Sequence, residues 1–479
     1  MPDTSLRGHA TSLLAACALL LAGCATNPKA ALPAVQEAVA SRSGLAVDWR
    51  QTAEERAAAD RAVSTLLEQE LTPERAVEIA FINNRELRAT FEDLGISQAE
   101  LIAASRLTNP SFGAGVRWPS DRPRGPNVEL SVAADLLDGI LLPVRKKIAK
   151  EHLGQTVERV AHRALLLAGE VKAVAYTVQA RQQLLTRLSA IVEVNDAAAD
   201  LAQRQYDAGN INRLELANQQ AMAQESHLEH MRTEAMLRTD REKLNRLLGL
   251  SSGQTGWKIS PLPGLPETDA LPADLEDLAV AQRLDVAAMK SQVTLAEQAL
   301  SLKRKTRLLP ASVNLGIDTE RDPDGARVTG PSLELALPIF DQGQAELARL
   351  GAELRRATAG YEGLLSDVRS QTREALETLL AARASADYYV KTLLPQRRLL
   401  LRETLLHYNA MQKSSYELLA AKERQIAIER ESIEALRDYW IARTSLEMAV
   451  GGKLPVVVAA VDKPAEEPPP PEHHHHGSN

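Results

Sequence analysis

Polar and apolar residues alternate one by one in four short runs of this chain and recur at helical spacing over most of the rest. In one run Val128, Leu130, Val132 and Ala134 share a face opposite Glu129, Ser131, Ala133 and Asp135. In another, Leu333, Leu335, Leu337 and Ile339 oppose Ser332, Glu334 and Ala336. The two remaining runs set Phe112, Ala114, Val116 and Trp118, and Val313, Leu315 and Ile317, against Gly, Ser, Asn, Asp and Arg. A period of two between unlike faces predicts strands at 111–118, 126–137, 312–319 and 327–339.

Helical patterns flank each pair of runs. Thr72-Pro73 opens one helix, with Thr as N-cap and Pro at the first position, and Asn109-Pro110 stops it. A helix from 274 to 308 ends in the same way at Leu309-Pro310. After the first hairpin, from Leu142 and Pro143 onward, no convincing breaker occurs until Asp207, which predicts a helix of about 65 residues, ~100 Å long. Asp207 to Asn212 turns the chain, and 211–248 is helical again. After the second hairpin Asp341 stands at the N-cap position, and helices are predicted over 342–408, interrupted at Pro395, and over 414–450. Tyr206 matches Tyr408 and Gly249 matches Gly451, both 202 residues apart, so the unit is a tandem repeat. The expected organisation is a signal at 1–24, a tether at 25–70 and a first helix-strand-strand-helix-helix repeat at 71–250. A linker at 251–273, a second repeat at 274–452 and a disordered Pro/His tail at 453–479 complete it.

Composition adds compartment and partner. The chain has 479 residues, 3% aromatics, a formal charge of −7 and a pI near 5.9, so no basic domain points to nucleic acid. Arg7 and His9 precede an apolar run from Leu13 to Ala22, too short to span a bilayer as a helix. It ends in Leu21-Ala22-Gly23-Cys24, which resembles a bacterial lipobox in which Cys24 is lipidated. Ala25 follows in place of an inner-membrane retention Asp, which implies delivery to the outer membrane. Cys17 lies in the signal, so the mature chain holds no disulfide pair.

Strands of this length with one apolar face suit a transmembrane β-barrel, whose strands need ~9–11 residues. Four strands cannot close a barrel, and an open edge in lipid leaves backbone groups unpaired. Symmetric copies solve this, and a trimer supplies twelve strands. The fold class is therefore mainly α with a small β part: long coiled-coil hairpins plus a four-strand contribution to a trimeric twelve-stranded barrel.

The duplicated unit, the joint Pro331-Ser332-Leu333-Glu334-Leu335-Ala336-Leu337-Pro338-Ile339-Phe340-Asp341-Gln342-Gly343, the Tyr206-Asp207-Ala208-Gly209 turn and the lipobox together resemble the TolC family of outer-membrane efflux factors over residues 70–452. The resemblance implies an exit duct of a tripartite pump for drugs or metal ions. It would be a homotrimer, anchored in outer-membrane lipid, whose β-barrel continues into a long periplasmic α-helical barrel that meets an adaptor and an inner-membrane pump. In the family, the turn after the second-repeat tyrosine carries a basic residue five positions on and an acidic one nine positions on, which hold the pore shut. From Tyr408 these are Lys413 and Glu417. Ala420 lacks a further carboxylate that some members have, and Asn409-Ala410-Met411 lacks the glycine that Gly209 supplies in the first turn.

No phosphate loop, nucleophile motif or strong metal-ligand spacing indicates an enzyme or a cofactor. His227 and His230 share a helix face at i, i+3, where ordinary surface placement outweighs metal binding. His473, His474, His475 and His476 form a metal-flavoured tract that reads equally as a purification tag. Lys413 and Glu417 read equally as a gate and as a plain i, i+4 surface pair. The alternatives to an efflux duct are a non-conducting, lipid-anchored structural coiled coil of the envelope and a type I secretion exit duct. Strand faces of opposite polarity speak against the coiled coil.

Overall fold

The computed structural model of the chain describes residues 27–118, 120, 125–310 and 312–454. Cys24 and His473 to His476 lie outside the described residues. An N-terminal region of helices α1 (Leu32–Ser43) and α2 (Ala53–Leu67) precedes the first repeat: α3 (Pro73–Asn83), α4 (Arg85–Ala104), β1 (Ser111–Arg117), β2 (Asn127–Asp135), α5 (Leu136–Asp207) and α6 (Arg213–Leu248). The second repeat runs α7 (Leu275–Gln282), α8 (Leu284–Thr306), β3 (Val313–Arg321), β4 (Arg327–Leu335), α9 (Gln344–Tyr388), α10 (Leu394–Asn409) and α11 (Ser415–Val450). A single π-helical turn, Tyr389–Leu393, joins α9 to α10.

Each helix expected before a hairpin is two helices. Asn84 and Arg283 take extended backbone at the breaks, and each break receives the carbonyl end of its repeat's last helix. Asn83 Nδ2 donates to the carbonyls of Leu248 and Gly249, and Asn84 Nδ2 to that of Leu247. At the second break the Arg283 guanidinium donates to the Ala449 carbonyl at 3.4 Å. Orphan carbonyls at a helix end are thus satisfied from another element, which no local pattern announces.

The strand-to-helix joints also differ from expectation. Asp135 caps α5, its carboxylate accepting from Leu137 N–H at 2.9 Å, so the helix starts straight from the strand at Leu136, ahead of the expected start at Leu142. Pro143 is tolerated inside α5, in its third turn. Asp341 does not cap α9; it accepts from Gly343 N–H, and Gly343 itself, at φ 76°, precedes the helix. The strands end at 135 and 335, short of 137 and 339.

The four strands form one antiparallel sheet in the order β1-β2-β3-β4. Register places Phe112 beside Val132, Ile317 and Pro331 on one face, and Leu315 beside Ala134 and Leu333 on the same face. The other face carries Gly113, Ser131, Asp318 and Gly330 in one row. Phe112, Val132, Leu315, Ile317 and Leu333 all stand exposed on this sheet.

The main core lies midway along the helices. Val35, Val39, Trp49, Ile79, Phe91, Val160, Val171, Leu244 and Leu248 are buried together, and Trp49 stacks on Phe91 with ring centroids 6.3 Å apart. The described part of the 25–70 stretch packs against the first repeat and contributes α1, the buried Trp49 and α2, which lies where a short helix at 53–70 is expected. The 251–273 stretch is packed too. Leu71 and Ile259 form a β-bridge, with Leu71 N–H donating to the Lys258 carbonyl at 2.7 Å. Buried Trp257 donates to Asn245 Oδ1 at 2.8 Å under the Arg241 guanidinium, 3.8 Å from its ring centroid. Asp269 is buried against Arg443 and Arg383 (2.6 Å) and accepts from Tyr439 Oη at 2.7 Å. Burial first, then the bond to Asp269, pushes the Tyr439 phenol up to about 12.

Candidate functional site

The two long helical hairpins turn at their tips with one backbone recipe written in different residues. In the first turn Gly209 N–H donates to the Tyr206 carbonyl at 2.9 Å and Asn210 N–H to that of Gln205 at 2.8 Å. In the second, Met411 N–H donates to Tyr408 at 2.9 Å and Gln412 N–H to His407 at 2.8 Å. Gly209 has φ 75°, and Met411, its counterpart 202 residues on, is held at φ 58° in the left-handed region that glycine prefers. Met411 side-chain atoms reach solvent almost completely.

Both returning helices begin with a side-chain cap. Asn212 Oδ1 accepts from Glu215 N–H at 2.9 Å, and Ser414 Oγ from Glu417 N–H at 3.2 Å. Glu417 reaches back to Ser414 N–H at 2.9 Å, which completes a capping box. Its other oxygen accepts from Lys413 Nζ at 2.5 Å. The Lys413 bond, then the Ser414 N–H, holds the Glu417 carboxyl below the usual glutamate range. Both side chains remain about half exposed.

The structure thus brings Lys413 and Glu417 together, while Tyr206, Gly209 and Tyr408 each serve their own turn. The tips touch through Tyr416, whose hydroxyl donates to Gln205 Oε1 at 2.6 Å. The capping role of Glu417 is an addition, legible in Ser414-x-x-Glu417. The pair with Tyr416 and the Asp269 cluster join residues far apart in sequence and have no local signal. His227 pairs with Asp196 at 3.0 Å and His230 with Ser189 at 3.1 Å, so the two imidazoles serve separate partners. Among the described residues no group of three or more His, Cys, Asp or Glu is placed to hold a metal ion.

Long helical hairpins bearing a four-stranded, two-faced sheet are the arrangement that the resemblance to the TolC family implies. In agreement, residues 76–250 match the family model described as outer membrane efflux protein. The cobalt-zinc-cadmium resistance protein CzcC of Cupriavidus metallidurans is 22% identical over 394 residues, 80% of this chain and 90% of that protein. Among solved structures, CusC, in a study of folding and transmembrane channel formation, matches with a TM-score of 0.66 at 16% identity, over 80% of this chain and 92% of that one. The Campylobacter jejuni CmeC outer membrane channel matches at 0.64 and 15% identity, over 83% and 86%. The fold read from the duplicated joint and turn is the fold these channels have.

Proposed function

We propose that this chain is the outer-membrane exit duct of a tripartite efflux pump. Three copies close a twelve-stranded barrel, and their helical hairpins form a periplasmic conduit that meets an adaptor and an inner-membrane pump. The observation that carries this reading is the sheet. One face exposes a band of apolar side chains, the other is mainly polar or glycine with Ala133 and Val328 as exceptions, and β1 and β4 each leave an edge unpaired among the described residues. Lipid on one side, water on the other and a neighbouring copy at each edge satisfy all three features together. Cys24 carries the lipid anchor in this reading. Similarity to a cobalt-zinc-cadmium resistance protein favours divalent metal ions over drugs as the cargo.

At the entrance, threefold symmetry brings three copies of the Lys413–Glu417 pair around one axis, where a carboxylate ring favours cations and binds divalent ions. The purified protein in a planar bilayer should give single-channel steps selective for cations and blocked by divalent ions. Deleting the gene should sensitise its host to cobalt, zinc or cadmium. A membrane-associated protein that gives no conductance would overturn the duct in favour of a structural coiled coil. Sensitivity to drugs alone would overturn the metal cargo.

A further inference from the structure

The helices stand in a row whose order repeats that of the strands. On the sheet side of the breaks α4 packs on α5, α5 on α8 and α8 on α9; on the tip side α6 packs on α5, α5 on α11, and α11 on α9 and α10. Each break receives the end of its repeat's last helix, so α6 continues the column of α4 and α11 continues that of α8. One chain is thus four columns wide, with α4 and α6 at the β1 end of the row and α9 and α10 at the β4 end.

Below the breaks both end columns are apolar on the side turned away from their own chain. α6 buries Leu216, Ala223, Leu237 and Leu244. On its opposite face Leu214, Ala221, Leu228 and Ala235 recur every seven residues, and all four are exposed. α10 half-buries Leu394, Leu401 and Thr404 and exposes Leu399 and Leu406, again seven apart, on the other side. A helix with apolar stripes on two opposite faces is one covered on both, and a seven-residue stripe is the seam of a helix pair. Lipid is not the cover, because α5 runs 72 residues from the sheet, which puts the tip ~100 Å away. The bond from Tyr416 to Gln205 holds the two tips level. Counted from Asn212 and Ala410 at about 1.5 Å per residue, Ala221 stands ~14 Å and Leu399 ~16 Å above the tip, and Leu214 ~3 Å and Leu406 ~6 Å.

Resting on the exit-duct reading, we propose that α10 of each copy packs along α6 of the next as an antiparallel coiled-coil seam, with Leu399 against Ala221 of the partner subunit and Leu406 against Leu214 of the partner subunit. The ring closure that joins β4 to β1 of the next copy brings these two columns together, whereas α5 and α11 already have neighbours on both sides. The seam supplies the packing that α10 lacks within its own chain. It makes the contact between copies near the tip heterologous, one face of the first repeat on one face of the second.

The test is cysteine cross-linking of the full chain. Cys24 is acylated in this reading, so the mature protein offers no other thiol. Detergent-solubilised protein carrying Ala221→Cys with Leu399→Cys, treated with a short bis-maleimide, should give covalent species of two and three chains and none larger, as a closed heterologous ring requires. Each single variant should keep the mass of one chain. Ala221→Cys with Leu400→Cys, whose second thiol leaves the stripe, should lose the larger species. Leu228→Glu should lower the temperature at which the three-chain particle dissociates in native mass spectrometry, with helix content unchanged by circular dichroism. Cross-links confined within single chains, or a Leu228→Glu particle as stable as the unaltered one, overturn the seam. Absence of any three-chain particle from the unaltered protein sinks the duct, and three-chain particles that the reagent does not join at 221 and 399 sink the seam alone.

Discussion

The two repeats share a plan and differ in how firmly each is built. The first long helix, α5, runs unbroken for 72 residues and keeps Leu188, Ile191, Asn195, Ala198 and Ala202 buried toward its tip. Its counterpart is split by the π-helical turn at Tyr389–Leu393, and α10 beyond it buries no residue. The first tip turns on a glycine, the second on a methionine in the same left-handed conformation. The two repeats share the geometry, and the second has less packing and less backbone ease at the end where the entrance is proposed. A helix interrupted by a π-turn and unburied in its own protomer has the weaker resistance to bending and the greater dependence on neighbours.

The difference extends to the equator. The first hairpin is fastened through Trp257, Asn245 and the Arg241 guanidinium, the second through the carboxylate of Asp269 shared by Arg383, Arg443 and Tyr439. Breaking the second fastening should have the largest effect on stability. Asp269→Ala leaves Arg443 buried without its partner and should cost about 3–5 kcal/mol in denaturant unfolding. A loss no larger than that of an exposed charge would remove the fastening from the account.

The strand hairpins differ in their outward faces. β2 presents Val128, Leu130, Val132 and Ala134, whereas β3 presents Val313, Leu315 and Ile317 and then Thr319 and Arg321. The apolar band of the second hairpin therefore centres near Leu315 and Ile317. Ile317→Arg should cost about 2–4 kcal/mol, and Leu335→Arg, at the strand's lower end, about 0–1. Equal yields of assembled protein from both would contradict the assignment of faces and depth.

The tip comparison sharpens by exchange. Gly209→Met should destabilise the first turn by about 1–2 kcal/mol, and Met411→Gly should relieve a similar strain in the second. Thermal unfolding of the two variants should shift in opposite directions. The smallest effect on stability, and the clearest on conduction, belongs to the ion pair. Because Lys413 and the Ser414 N–H lower the Glu417 pKa in the folded protein, their stabilising contribution is complete above the ordinary glutamate range. It is lost as pH falls through the lowered value. Cation selectivity should follow the same curve, Glu417→Ala should abolish selectivity and divalent block, and Lys413→Ala should raise resting conductance. Unchanged conduction in both variants would leave only a surface pair and a helix cap.

Most of this architecture was legible because the signals were local and repeated. Alternation at 128–134 and 313–317, breakers at Pro110 and Pro310, and the spacing of Tyr206 and Tyr408 carried the strands, hairpins and duplication. The splits at Asn84 and Arg283 were hidden because helical periodicity continues across both, and their cause is a distant helix end. The packing of 25–52 and of the 251–273 linker was hidden because neither shows a long apolar period. Trp49, Trp257 and Leu262 are buried against helices far away in sequence. At the helical tips, Lys413 and Glu417 were visible as a pair, while Tyr416 reaching Gln205 across 211 residues was not.

The central claim is that one chain supplies only a third of a barrel. Native mass spectrometry of the detergent-solubilised protein, run beside bilayer recordings of the same sample, tests it directly. The account predicts that conducting material is a particle of three chains and that Ile317→Arg loses both trimer and conductance. Conductance from a single chain, or three-chain particles that never conduct, would contradict it.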